Sequence, residues 1–318
     1  RRIEGKNRKK IVFWSKIIIC LRIILAIGWQ PLFTSLACIK INLLLKVTGR
    51  RKDGYHLLDS LVTFCELGDR LELSLSDHCD ELIVEGTFRN EIGEDNIVRR
   101  TLKKFREATG WRQPVKIKLK KEIPVGAGLG GGSSDAAATL KLLTQIPETP
   151  PLSRAEIFKI ALDLGADVPV CLLGQTARMQ GIGEKLKTLD PLPKLPILLV
   201  NPNLKIETKK VFEAFGGGYS PPINSNQLEG PWSHRQLKNL LQSKPQNDLY
   251  EAAASLVPQI SEILTRLNTI QGVTSTGMSG SGATCFAIFH PRQKMKINEA
   301  MELLRETDWW HRLTYLKP

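Results

Sequence analysis

The sequence predicts a mixed fold of strands and helices, α/β or α+β, on three observations. With 318 residues the chain is long enough for roughly two domains of about 100 to 200 residues each. Stretches of period-two apolar alternation interleave with stretches of helical spacing instead of segregating into all-strand or all-helix blocks. A glycine-rich loop from Pro124 to Ser134 follows one of the strands and opens onto an alanine-rich helix.

From Leu36 to Lys46 the chain reads as a strand. Ala37, Ile39, Ile41, Leu43 and Leu45 fall on one face and Cys38, Lys40, Asn42 and Leu44 on the other, so Lys40 and Asn42 point the same way. Asp53-Gly54 is a turn signal, and LLDSLVTFCELGDRLELSL and ELIVEG continue as strands. A helix is predicted from about Asn96 to Thr109, with Asp95 or Asn96 as cap. VKIKLKKEIP alternates apolar and basic residues as a half-buried strand does, and Pro124 ends it. SSDAAATLKLLTQI is predicted as a helix capped by Ser133 or Ser134, and RAEIFKIALDLG as another stopped by Gly165. Beyond Leu195 come the strand PILLV, a helix around Ile206 to Phe215, a breaker-rich surface loop GGGYSPPINSNQLEGPWS, and a helix from about Asp248 to Leu267 capped by Asn247 or Asp248. GVTSTGMSGSGATCFAIF reads as strand, glycine loop and strand.

Composition is that of an ordinary globular protein, with 42% apolar and 24% charged residues. Six cysteines without a CxxC pair or regular spacing argue against a zinc site or a disulfide framework and for reduced thiols in the cytoplasm. Of the net charge of +13, residues 1–30 carry +7. The moderately basic remainder suits an anionic small ligand, and no nucleic-acid motif accompanies it. Residues 1–30 are expected to be a leader of doubtful status. Its apolar run at 11–29 is interrupted by Lys16 and Arg22, charges that each cost about 2.5 to 3.5 kcal/mol near the centre of a membrane helix. No membrane is expected as a partner unless that run is a real anchor.

The strongest chemical signal is PVGAGLGGGSSDAAATL. Glycines admit close backbone approach to phosphate oxygens, and free N–H groups at a helix start favour negative charge. Gly126, Gly128 and Gly131 satisfy the dinucleotide pattern GxGxxG, but the acidic residue that fold needs about 20 positions on falls at Glu148, within PETPP. No lysine precedes Ser133 or Ser134 as in a Walker A loop, and the protein-kinase motifs HRD and DFG are missing.

Three motifs occur in one order: KINLLLKVTGRRKDGYHLLDSL, then PVGAGLGGGSSDAAA with LGADVPV, then TGMSGSGATCFAIF, supported by DNIVRR at 95–100 and QGIGE at 180–184. In these the chain resembles the GHMP kinase family, over about Leu36 to Phe289. DGYH together with LGADVPV resembles the members that phosphorylate a cytidine diphosphate-linked methylerythritol in isoprenoid precursor synthesis. Ile39 departs from the smaller residue usual there. The resemblance implies a two-domain α+β GHMP architecture: a ribosomal-protein-S5-like ATP-binding domain at 31–190 and a ferredoxin-like domain at 191–318.

It implies Asp167 as general base with Lys40 as its cationic partner. ATP falls to Pro124, Val125, Gly126, Ala127, Gly128, Leu129, Gly130, Gly131, Gly132, Ser133 and Ser134, with Asn96 and Lys121. The alcohol substrate falls to Asn42, Tyr55, His56, Gly280 and Ser281, and Mg2+ to the Ser134 hydroxyl. Two readings stay open beside it: a GHMP kinase for another alcohol of homoserine or mevalonate type, and a nucleotide-binding module without catalysis.

Overall fold

The computed structural model describes residues 32–242 and 246–318, so the expectations for residues 1–30, leader or anchor, lie outside it. Two sheets organise the described chain. β1 (Phe33–Arg50) and β2 (His56–Leu75) form a long antiparallel hairpin. β3 (Glu81–Glu85) is followed by α1 (Ile97–Thr109), β4 (Val115–Lys120), α2 (Gly131–Leu143), α3 (Arg154–Leu164), α4 (Val168–Leu173), β5 (Ala177–Gly181) and β6 (Lys185–Thr188). The sheet order is β3-β4-β2-β5-β6, with β1 lying along β2. Leu71, Leu73, Ile117 and Leu119 bury against Val98, Phe105 and Leu140 of the helices.

The second half contains β7 (Pro196–Asn201), α5 (Thr208–Ala214), α6 (His234–Leu241), α7 (Tyr250–Leu256), α8 (Gln259–Thr269), β8 (Val273–Met278), β9 (Cys285–Phe289), α9 (Lys294–Arg305) and β10 (Trp310–Tyr315). Its four-stranded sheet has the order β10-β7-β9-β8. Leu198, Val200, Ala287 and Phe289 pack with Ile260, Ile263 and Ile297 of the helices. The alternate residues Ile197, Leu199, Phe286 and Ile288 share a core with Ile39, Ile41 and Leu43 of β1. The two sheets therefore meet across β1, and helices cover the outer side of each. Bridges from Leu45 to Asn247 and from Cys65 to Leu316 join the halves further.

Four expectations need correction. The alternation along β1 is broken by register shifts between Cys38 and Lys40 and between Asn42 and Leu44, so Leu44 joins the core of Ile39 and Ile41. Lys40 and Asn42 still share a face. α2 begins at Gly131 with Gly130 as its cap at φ 63°, ahead of Ser133 and Ser134, because glycine takes the left-handed turn that starts the helix early. The single helix expected from Asp248 to Leu267 is two, α7 and α8, separated at Val257-Pro258. Proline lacks the N–H and clashes with the preceding turn. Neither Asn247 nor Asp248 is the cap residue of α7, which is Leu249; Asp248 instead accepts hydrogen bonds from Val47 N–H and Lys46 Nζ.

Among the described residues no helix is long and apolar enough to cross a membrane.

Candidate active site

β1 delivers Lys40 to the start of α2, and α4 delivers Asp167 opposite it. The Lys40 chain is 3% exposed; its Nζ donates to Asn42 Oδ1 at 2.6 Å and lies 3.1 Å from Asp167 Oδ2. Asn42 is held in turn, its Nδ2 donating to Ser60 Oγ at 2.8 Å and Ser60 donating to the Leu44 carbonyl. Asp167 occupies the cap position of α4, yet its side chain makes no capping bond. With 31% of that side chain open, the carboxylate is available to a ligand while its cationic partner is fixed from behind.

The glycine loop closes over this pair. Gly126, Gly128 and Gly130 have φ of 68°, 74° and 63°, and such alternating left-handed residues turn successive N–H groups into an anion-binding concavity. A Cβ at Gly130 would lie 2.7 Å from Lys40 Cγ, so only glycine admits the lysine here. The loop is fastened to β1 by Lys40 N–H donating to the Leu129 carbonyl at 3.0 Å.

A second glycine loop, Ser279 to Gly282, fits onto the first. Ser279 Oγ donates to the Gly128 carbonyl at 2.9 Å and accepts Asn42 N–H at 3.1 Å. Asn247 Nδ2 holds this loop through the carbonyls of Met278 and Gly280, both at 2.8 Å. Ser281 Oγ shares a 3.0 Å hydrogen bond with Thr208 at the start of α5. From α5, Phe212 stacks on His56 at 4.9 Å and 17°, with Phe215 edge-on to the same ring at 5.8 Å. Burial first, and then the Arg50 charge, hold His56 below the usual histidine range, so the imidazole is neutral near pH 7 and offers one donor and one acceptor. Tyr55 stands beside it, 63% exposed.

One run of contacts thus leads from Tyr55 and His56, through Phe212, Thr208, Ser281, Gly280 and Ser279, to Gly128, Lys40 and Asp167. Asn96 lies at the edge of the phosphate loop, its Oδ1 capping α1 through Val98 N–H and Arg99 N–H, with Ile97 facing Gly132.

Two sequence-assigned residues point elsewhere. Lys121, expected in the nucleotide pocket, is 1% exposed, and its ammonium is committed to Asp69 at 2.5 Å and Asp135 at 2.8 Å. The cost of burying an ammonium is offset only by those carboxylates. Ser134, expected to meet magnesium, donates to the Cys38 carbonyl at 2.7 Å and lies 3.3 Å from Cys171 Sγ, and it is 3% exposed. Its oxygen does not fit a metal at the open side of the loop. Ser279 lies within the third motif, whereas sequence reading gave no site role to Asn247, Thr208, Phe212, Asp69 or Asp135. Of these, Phe212 carried a visible signal, since it lies in VFEAFGGGY, where three aromatics cluster around a glycine run.

The family models GHMP kinases N terminal domain and GHMP kinases C terminal match residues 96–175 and 233–305. A protein of Chelativorans sp. (strain BNC1) called 4-diphosphocytidyl-2-C-methyl-D-erythritol kinase is 45% identical over 283 residues, 86% of this chain and 93% of its own length. The chain belongs to the GHMP kinase family. This GHMP kinase is also 41% identical over 278 residues to a protein of that same description from Rhodospirillum rubrum, covering 86% of this chain and 89% of the relative. A solved structure described as 4-(cytidine 5'-diphospho)-2C-methyl-D-erythritol kinase superposes with TM-score 0.74 at 33% identity, covering 90% of this chain and 100% of the other. A homoserine kinase from Cytophaga hutchinsonii shares the fold, with TM-score 0.63 at 19% identity over 88% of this chain and 95% of its own. As a GHMP kinase the chain uses ATP as phosphate donor.

Proposed function

We propose that this GHMP kinase transfers the γ-phosphoryl group of ATP to the 2-hydroxyl of 4-diphosphocytidyl-2-C-methyl-D-erythritol, giving the 2-phosphate and ADP, in the non-mevalonate route to isoprenoid precursors. The observation that carries the chemistry is the pairing of a buried Lys40 with an open Asp167 beside the glycine loop. The Asp167 carboxylate takes the proton of the attacking hydroxyl. The Lys40 ammonium and the loop N–H groups stabilise negative charge on the transferring group, which needs positioning and electrostatics more than covalent help.

The choice of alcohol rests on the aromatic end and on the named relatives. β1 and β2 carry Lys40 and Asn42 in their middle and Tyr55 and His56 near the hairpin tip. A fitting acceptor is elongated, with a flat base at one end and the reacting hydroxyl at the other. Cytosine offers a ring to Tyr55 and Phe212 and hydrogen-bonding edges to a neutral His56. Magnesium, brought by ATP, would neutralise charge on the phosphates. Among the described residues no group of three or more His, Cys, Asp or Glu is placed to hold a metal. The free thiols, including Cys38 and Cys171, suit a cytoplasmic enzyme.

A panel of alcohols assayed for ADP release tests the reading. Release with the cytidine diphosphate-linked substrate and not with homoserine or mevalonate is expected; the reverse preference overturns it. Phe212→Ala is expected to raise KM for the cytidine substrate about tenfold, from a lost base stack of about 1–3 kcal/mol, with KM for ATP unchanged. Equal effects on both constants would remove Phe212 from the base site.

A further inference from the structure

The geometry points to Asp69, Lys121 and Asp135 as a buried latch that sets the span of the phosphate loop and thereby the affinity for ATP. This rests on the reading of Pro124 to Ser134 as the ATP loop. Lys121 stands just before the loop and Asp135 just after it, in the first turns of α2. Lys121 Nζ bridges them, donating to Asp135 Oδ2 at 2.8 Å and to Asp69 Oδ2 at 2.5 Å. The other Asp69 oxygen accepts the backbone N–H groups of Glu122 at 2.6 Å and Ile123 at 3.0 Å. One β2 carboxylate therefore holds the chain entering the loop, and through the ammonium it holds the helix leaving it. A Cβ at Gly131 would lie 3.3 Å from Lys121 Nζ, so the ammonium sits directly beneath the first helical turn.

Stability alone does not explain the cluster. Lys121, Asp69 and Asp135 are each 1% exposed or less, and Asp135 Oδ1 is buried without a hydrogen-bond partner. Buried ion clusters of this kind gain little over well-packed apolar side chains, whereas they fix geometry. Burial, reinforced by the Asp69 charge and opposed by Lys121, pushes the Asp135 carboxyl up to about 7, so a neutral amide is a close mimic of its protonated form. The three groups hold the two ends of the loop and bond to none of Asn42, His56 or Phe212, so their effect falls first on ATP and reaches the alcohol only through the contact of Gly128 with Ser279. They are positioning residues: each acts through the backbone of the loop.

The test compares Asp135→Asn with the double variant Lys121→Met/Asp135→Leu, which leaves Asp69 its two backbone bonds. ATP Kd is read by calorimetry, KM for each substrate by ADP release, and Tm by thermal unfolding. The double variant is expected to weaken ATP binding about tenfold, the effect of a loop displaced by a fraction of an ångström, with a much smaller rise in KM for the alcohol and a Tm lowered by the Asp69 charge left without its cation. Asp135→Asn is expected to recover most of the ATP affinity lost in the double variant. Unchanged ATP Kd in the double variant overturns the latch, as does a parallel rise of both KM values tracking a fall in Tm. Should the double variant fail to fold, Asp135→Leu alone carries the same comparison. A parent protein that binds ATP but phosphorylates no alcohol of the panel defeats the proposed function and leaves the latch to the Kd comparison.

Discussion

Asp167→Asn is expected to lower kcat by about 10²–10⁴-fold, the usual contribution of a positioned general base, while the Kd for ATP stays near that of the parent. The amide keeps the volume of the carboxylate and an oxygen that Lys40 can reach, so the 3.1 Å contact survives as a hydrogen bond. What is lost is the capacity to take a proton. Because the Asp167 side chain makes no capping bond to α4, the substitution removes no helix cap and Tm should change little. Single-turnover ADP formation together with calorimetric ATP binding separates chemistry from affinity. Near-normal turnover would remove Asp167 as the base; lost ATP binding would make it a structural residue. Lys40→Met is expected to cost about 10²–10³-fold, as for removal of one transition-state donor. The double variant should cost little more than Asp167→Asn alone, since residues acting as one unit are not additive.

How far the site could be read in the chain depends on whether the relevant contacts are local. The glycine loop was legible because five glycines fall within seven residues just before an alanine-rich helix, and no packing constraint is needed to see its anion preference. Lys40 and Asn42 were placed on one face correctly, but the three register shifts in β1 left no mark in the apolar pattern. α1 and its cap Asn96 were legible because capping is local chemistry. The break between α7 and α8 was written in Pro258 and overridden by the apolar periodicity around it. Beyond reach were pairings of distant residues: Ser279 with Gly128, 151 positions apart, and Lys121 with Asp69, 52 apart. In sequence Lys121 is one of several basic residues in an alternating strand; only the fold turns its ammonium inward.

Gly128→Ala tests whether the two glycine loops work as one body. A Cβ at Gly128 would lie 2.3 Å from the Ser279 carbonyl oxygen and 2.6 Å from that of Gly282. Both are backbone atoms, so no side-chain rotation relieves the clash, and one loop has to withdraw from the other. Withdrawal breaks the Ser279 hydroxyl bond to the Gly128 carbonyl and Thr284 N–H to the Ala127 carbonyl at 3.2 Å, and it slackens the Ser279 grip on Asn42, which steadies Lys40. Alanine also meets the left-handed backbone at φ 74°, at about 1–2 kcal/mol. Gly126→Ala isolates that backbone cost: Gly126 has a similar φ of 68°, but the nearest atom to its added Cβ is the Ile206 carbonyl oxygen at 3.9 Å. Gly128→Ala is expected to lower kcat/KM by about 10²-fold or more, as for an ångström-scale misplacement of a catalytic site, and to weaken both substrates. Gly126→Ala should lose about tenfold or less, in proportion to backbone strain alone. Equal losses in the two variants would mean that strain within the phosphate loop, and not its contact with Ser279 and Gly282, controls the site.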